Sequence, residues 1–211
     1  MKMFLERYSW PPWATALMLA GLLVSAMQSA WAAPRDHAPQ ALKGVVERFN
    51  YGPKGSYESL LLKIADKLVQ VNFPPHMAAE VTKAVATGDQ ISVVAVAEGS
   101  KGDHPVYRLQ KLTTAKGEGI VMLKPKPEEQ PTPENVRKIE GVVKYLNYAR
   151  HGEVNGAVLE SGDFVHLGPL GAELVKLAIG QKLSVEGAAA TMADGHLVIE
   201  HPSAVNGVKI R

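Results

Sequence analysis

GVVERFNYGPKGSYESLLL at residues 44–62 aligns without a gap on GVVKYLNYARHGEVNGAVL at residues 141–159. The two stretches share Gly44/Gly141, Val45/Val142, Val46/Val143, Asn50/Asn147, Tyr51/Tyr148, Gly55/Gly152 and Leu62/Leu159, seven of nineteen positions. Downstream the register drifts from 97 to 91 residues through Val71/Val165, Pro75/Pro169, Gly88/Gly180, Val93/Val185 and Asp103/Asp194, in steps small enough to sit in loops. One unit of about seventy residues is therefore present twice, which says much about architecture and little about ligand.

Each copy reads as five short strands with one helix. In the first, Gly44–Tyr51 and Tyr57–Lys63 are β-rich runs on either side of Gly52-Pro53-Lys54-Gly55, where Gly freedom and the fixed φ of Pro mark a turn. Leu68–Phe73 alternates, with Val69, Val71 and Phe73 on one face and Gln70 and Asn72 on the other, until Pro74-Pro75 stops it. His76–Ala86 then carries Met77, Val81 and Val85 at four-residue steps, the pattern of a short amphipathic helix. Strands at Ile91/Val93/Ala95 and Val106–Leu112 complete the unit. The second copy repeats the order with Gly141–Tyr148, Val154–Leu159, Phe164–Leu167, a helix after Pro169 with Leu170, Leu174 and Leu177 along one side, Leu183–Gly187 and His196–Glu200.

The expected class is all-β with one short helix per unit, in two tandem five-stranded barrels. Closed barrels suit units this near the lower size limit for a self-sufficient core, and with no cysteine in the chain stability has to come from packing. The expected division is a signal peptide at 1–32, a flexible leader at 33–40, a first domain at 41–115, a Pro-rich linker at 116–136 and a second domain at 137–211. The linker should carry few contacts, so the two domains are expected to fold separately.

Lys2 and Arg7 precede an uncharged run from Trp13 to Met27, too short to span a bilayer, and Ala30 and Ala32 stand at the −3 and −1 positions of a cut after Ala32. That is the layout of a secretory signal, with retention as an N-terminal anchor as the alternative. The expected location is periplasmic or secreted, with no stable membrane insertion after cleavage. Charge is nearly balanced at +2 overall, with nine basic and seven acidic side chains in 41–115 and eight of each in 137–211. Neither unit has the basic stripe of a dedicated nucleic-acid binder, and aromatics make up only 6% of the chain.

Local signatures of catalysis are absent: there is no Cys nucleophile, no Gly-x-Ser-x-Gly, no Walker loop and no His-Glu-x-x-His. The chain is expected not to be an enzyme and to need no cofactor. Its seven histidines do not pair at ligand spacing, so no metal site is expected, and His76 reads as a half-buried residue at the start of a helix.

The order of three strands, a helix and two strands, with Gly-Val-Val, the Asn-Tyr pair, the loop Gly and a Val-x-x-x-Pro ending to strand three, resembles the OB-fold nucleic-acid-binding domain family of little-characterised bacterial proteins. The resemblance covers about 150 residues. It implies a ligand face on strands two and three, with the loops joining strands one to two and four to five. Strand parity then offers Gln70, Asn72, Phe164 and His166 as outward-facing ligand contacts. Loop one-two adds Lys54 in the first unit and Arg150 with His151 in the second. Phe164 either stacks a base or sugar ring or packs against the linker or the first domain. The recurring Asn50-Tyr51 and Asn147-Tyr148 are read as a requirement of the fold rather than as ligand contacts. The expected function is an exported, non-catalytic tandem OB-fold binding or interaction module of the cell envelope, whose partner is an envelope ligand or protein. The alternatives are a single-stranded nucleic-acid-binding protein, with weak binding, and an oligosaccharide or envelope-polymer binder.

Overall fold

The computed structural model describes residues 38–121, 135–192 and 194–210. The expected signal peptide, most of the expected leader and the middle of the expected linker lie outside the described residues. The first half contains β1 (Gln40–Tyr51), β2 (Tyr57–Ile64), β3 (Lys67–Asn72), a 3-10 turn at Pro75–Met77 leading into α1 (Ala78–Ala84), β4 (Gln90–Glu98), β5 (Val106–Thr113) and β6 (Gly119–Val121). The second contains β7 (Asn135–Tyr148), β8 (Val154–Leu159), β9 (Phe164–His166), α2 (Gly168–Leu174), β10 (Lys182–Thr191), β11 (Leu197–Val205) and β12 (Val208–Lys209).

Both halves close in the same way. β1 pairs antiparallel with β2 and β4, β2 with β3, β4 with β5, and the ring is sealed by parallel β3 and β5 through Gln70 opposite Val106 and Asn72 opposite Arg108. In the second half β7 pairs with β8 and β10, β8 with β9, β10 with β11, and parallel β9 and β11 seal the ring. Closure leaves neither five-stranded ring with a free edge. These are two closed five-stranded barrels with the strand order of an OB-fold, each followed by a short extra strand.

Period-two alternation fills both interiors. Val46, Leu60, Leu62, Val69, Val71, Phe73, Ile91 and Val93 make the first core, and Met77, Val81 and Val85 from the helical segment plug it. Val143, Leu159, Val165, Leu167, Leu183, Val185 and Ile199 make the second. Pro75 starts the first helical turn, where its missing N–H costs nothing.

Within the expected linker 116–136, Gly119–Val121 pairs with β5 and β7 begins at Asn135. One sequence expectation is corrected. In α2, Leu170 is 83% and Leu174 64% exposed, and the helix instead buries Gly171 and Ala172. The helix begins at Gly168, which has φ +71, and the small pair lets it lie close over the barrel end while the leucines turn away.

Candidate functional site

The side chains that strand parity places outside each barrel are not left to solvent. Val71 and Phe73 sit in the first core and Val165 and Leu167 in the second, as alternation requires. Gln70 and Phe164 are nevertheless fully buried, and Asn72 and His166 keep only 6% of their surface. Gln70, Asn72 and His166 are not the exposed contacts expected, and Phe164 takes the second of its two expected placements, packed against the first domain through Tyr51. Gln70 and Asn72 are covered by the loop of the other barrel. The outer surface of β8 and β9 is itself apolar, and a third cluster of Tyr51, Val158, Phe164, Ala190 and Val198 draws on both halves. Burying that surface drives the docking. Both barrels accordingly lie in one compact unit, rather than as two bodies with few contacts between them.

The covering elements are the one-two loops. On the first barrel, Gln70 Nε2 donates to the Ala149 carbonyl at 2.9 Å, Asn72 Nδ2 donates to the Arg150 carbonyl at 2.9 Å, and the Lys101 N–H donates to the His151 carbonyl at 2.8 Å. The loop 149–152 thus occupies the face where the resemblance implies a ligand. A Cβ on Gly102 would collide with the Gly152 carbonyl, so the four-five loop can close over this guest only with Gly there. His104, 3.1 Å from Gln70 Oε1 through Nε2, lies edge-on to Tyr148 and completes the contact. On the second barrel the covering is apolar: the Tyr51 ring stacks on Phe164 with centroids 5.1 Å apart, and Gly55, at φ +79, lies against Met192 and Val198.

Asn147 joins the halves most directly. Its Oδ1 accepts the Tyr51 N–H at 2.7 Å, and its Nδ2 donates to the Tyr51 carbonyl at 2.8 Å and to Asn155 Oδ1 at 2.9 Å. Its repeat partner Asn50 does less. Asn50 Nδ2 donates to Ser59 Oγ at 3.2 Å, and Asn50 Oδ1 is buried without a partner. Arg48 reaches the Leu146 carbonyl at 3.3 Å and lies over the Tyr145 and Tyr148 rings, so it is engaged across the interface rather than offered to a phosphate. Lys54 and His151 are exposed.

Docking leaves a cleft of about 430 Å³ between the barrels. Pro53, Phe73, Pro74, Pro75 and Pro169 form much of its wall, with Tyr51 and Tyr148. Its polar groups are Glu58, Ser59, Asn72, Arg108, Arg150, Asn155 and His166. Asn72, Arg150 and His166 were legible as candidates from parity and loop position. Arg108 carries the same parity signal, because β5 seals the ring with Arg108 opposite Asn72. Glu58 and Asn155, at matched positions of the two copies, gave no signal beyond their place in strand two. Among the described residues no cluster of His, Asp and Glu could hold a metal ion.

Glu98, half-buried, organises the charged end. Its Oε1 lies 3.3 Å from Arg150 and 3.8 Å from Arg108, and its Oε2 accepts from Asn72 at 3.0 Å. Burial raises the Glu58 carboxyl above its usual range, and Arg150 partly opposes this. Burial, aided by neighbouring His201, pushes His166 down to about 4, so its imidazole is neutral near pH 7. Its Nδ1 is buried with no hydrogen-bond partner. An unfolded histidine titrates near 6.5, so as pH falls the unfolded chain takes up the proton first. The stability associated with His166 is full above about pH 6.5 and is lost between about 6.5 and 4. Denaturant titrations at pH 7 and pH 4.5 are expected to show a loss of up to about 3 kcal/mol that His166→Gln largely removes. An unchanged pH dependence in the variant would assign the acid sensitivity elsewhere.

No protein-family model and no curated protein matches the chain. Among solved structures, the wild-type single-stranded DNA binding protein from Thermus aquaticus is similar at 14% identity and a TM-score of 0.26, over 80% of this chain and 93% of that one. The delta 228-252 R190A deletion mutant of the same protein gives 15% identity and a TM-score of 0.25, over 80% and 94%. Overlap at that level decides nothing about ligand, and the fold assignment rests on the strand pairings themselves.

Proposed function

We propose that this is an exported, non-catalytic binding module of the cell envelope, and that it takes its ligand in the cleft between the barrels rather than across an open strand face. The mutual burial of the two strand-three faces carries this reading. With Gln70, Asn72 and Phe164 engaged by the other half, the concave surface that combines apolar walls with convergent polar groups is the inter-barrel cleft. A nucleic-acid strand laid over strands two and three would have to displace loop 149–152 or the Tyr51–Phe164 stack. Arg48 is held by two tyrosine rings and is not offered to a phosphate.

Native mass spectrometry of protein recovered from envelope extract, with and without nuclease, tests the reading. One small-molecule equivalent is expected to survive nuclease and to be lost in Arg108→Trp, which places a bulky ring at the exposed rim of the cleft without touching either core. Tight oligonucleotide retention indifferent to Arg108→Trp would instead favour the nucleic-acid alternative. Export has its own check. N-terminal sequencing of the chain from the periplasm or medium is expected to begin at Ala33, and intact Met1 in the membrane fraction would replace export with anchoring.

A further inference from the structure

We propose that the N-terminal half of β7 is a self-association edge, onto which a second copy of this chain adds its own β7, antiparallel and centred on Ile139.

The second ring closes between β7 and β8 from Val143 onward, so the first half of β7 has a strand on one side alone. β10 runs beside it from Asn135 to Val142 without a shift in register. On the other side Asn135 to Gly141 have no neighbouring strand among the described residues. Which backbone groups face that side follows from the bonds just beyond it. Val143 donates to the Gln181 carbonyl and accepts from the Gly180 N–H at the β10 side, while the Val142 carbonyl accepts the Glu160 N–H at the β8 side. Backbone groups alternate sides along a strand, so Val136, Lys138 and Glu140 turn both N–H and carbonyl to the open edge. A row of such groups is a template for another strand.

The side chains select the occupant. Val136, Lys138 and Glu140 share one outer face, where Val136 is 69% exposed and the Lys138 and Glu140 side chains 61% and 65%. Lys138 Nζ lies 2.8 Å from Glu140 Oε1, Glu186 stands opposite Lys138 on β10, and Ser184 Oγ donates to Glu140 at 3.2 Å, which fixes both charges on that face. Two antiparallel strands related by a two-fold axis place one residue opposite itself. Centring the pair on Arg137, Lys138 or Glu140 sets like charges face to face. Centring it on Ile139 sets Lys138 of each copy opposite Glu140 of the other, in a square of alternating sign, and covers Val136 with Val142 of the second copy.

The first half of the repeat lacks this arrangement. β2 likewise joins β1 only at Val45, yet Ala41 and Lys43 stand where the second half has Lys138 and Glu140. A lysine without an acid is a device that discourages edge pairing, whereas β7 carries both signs at the spacing self-pairing requires.

Sedimentation equilibrium of the purified protein, with hydrogen exchange on the same samples, tests the edge. A dimer is expected at about 100 µM, and the Val136, Lys138 and Glu140 amides are expected to be better protected there than on dilution. Lys138→Glu and Glu140→Lys are each expected to weaken the dimer by about tenfold or more, because each sets like charges opposite one another at both pairs. An equimolar mixture of the two variants is expected to regain wild-type affinity as a heterodimer, since opposite charges then meet again at both pairs. Both side chains are exposed, so the variants should fold, and their amide spectra report whether they do. A wild-type monomer, a dimer that neither variant weakens, or a mixture that stays monomeric would each overturn the proposal. Protected edge amides in a monomer would assign the edge to residues 122–134 of the same chain instead.

Discussion

Asn147→Ala is expected to destabilise the protein by about 3–5 kcal/mol, while Asn50→Ala, at the same position of the first copy, costs about 1 kcal/mol or less. The asymmetry comes from what each side chain satisfies. Removing Asn147, which has no exposed surface, orphans the Tyr51 N–H, the Tyr51 carbonyl and Asn155 Oδ1, all on buried residues. Each buried orphan costs about 1–3 kcal/mol, and relaxation recovers part of the sum. Removing Asn50 loses one 3.2 Å bond to Ser59 and also deletes an oxygen that has no partner. Asn147→Asp separates hydrogen bonding from packing. It keeps the acceptor for Tyr51 N–H but turns an oxygen toward the Tyr51 carbonyl, so it should be at least as damaging as alanine. Chemical denaturation of the four proteins decides the matter. Equal costs for Asn147→Ala and Asn50→Ala would mean that the Asn-Tyr pair serves each barrel alone and that the clamp between halves is not energetically significant.

The duplication, the strand order and the two cores were readable because they depend on local pattern. Alternation at Val69, Val71 and Phe73 and the four-residue steps at Met77, Val81 and Val85 are properties of one strand and one helix, and they were read correctly. Phe164 and Gln70 were also assigned to the correct side of strand three, since neither belongs to its own barrel's core. Parity, however, distinguishes inside from outside a barrel and does not distinguish outside from solvent. Whether an outward face is wet depends on what docks there, and the partner here lies 79 residues away in the case of Gln70 and Ala149. Asn147 shows the same limit. Its recurrence signalled a structural role, yet the role differs between copies, because the second copy clamps Tyr51 of the first and not the reverse. The leucines of α2 failed for a different reason: apolar spacing without register cannot say which side of a seven-residue helix meets the barrel when Gly171 and Ala172 offer a closer approach.

Phe164→Ala is the variant in which those two meanings of outward part company. A ring on an open ligand face could be truncated at little cost. Phe164 instead has no exposed surface, stacks on Tyr51 at 5.1 Å and packs with Val158, Ala190 and Val198. Its loss is expected to cost about 3–5 kcal/mol, against about 1–3 kcal/mol for Val165→Ala in the adjacent core. The two losses should also differ in kind. Val165→Ala opens a cavity inside the second barrel and leaves the docking intact, so unfolding should stay a single transition at a lower midpoint. Phe164→Ala empties the centre of the interface, so the halves should unfold less cooperatively and amide protection should fall at Tyr51 across the gap. Pairing Phe164→Ala with Tyr51→Ala in a double-mutant cycle should return a coupling of about 0.5–1.5 kcal/mol, the range for stacked aromatic pairs. A near-neutral Phe164→Ala with zero coupling to Tyr51 would mean that the barrels do not dock through this face in solution. The four strand-three residues would then regain the exposed ligand surface that their alternation first suggested.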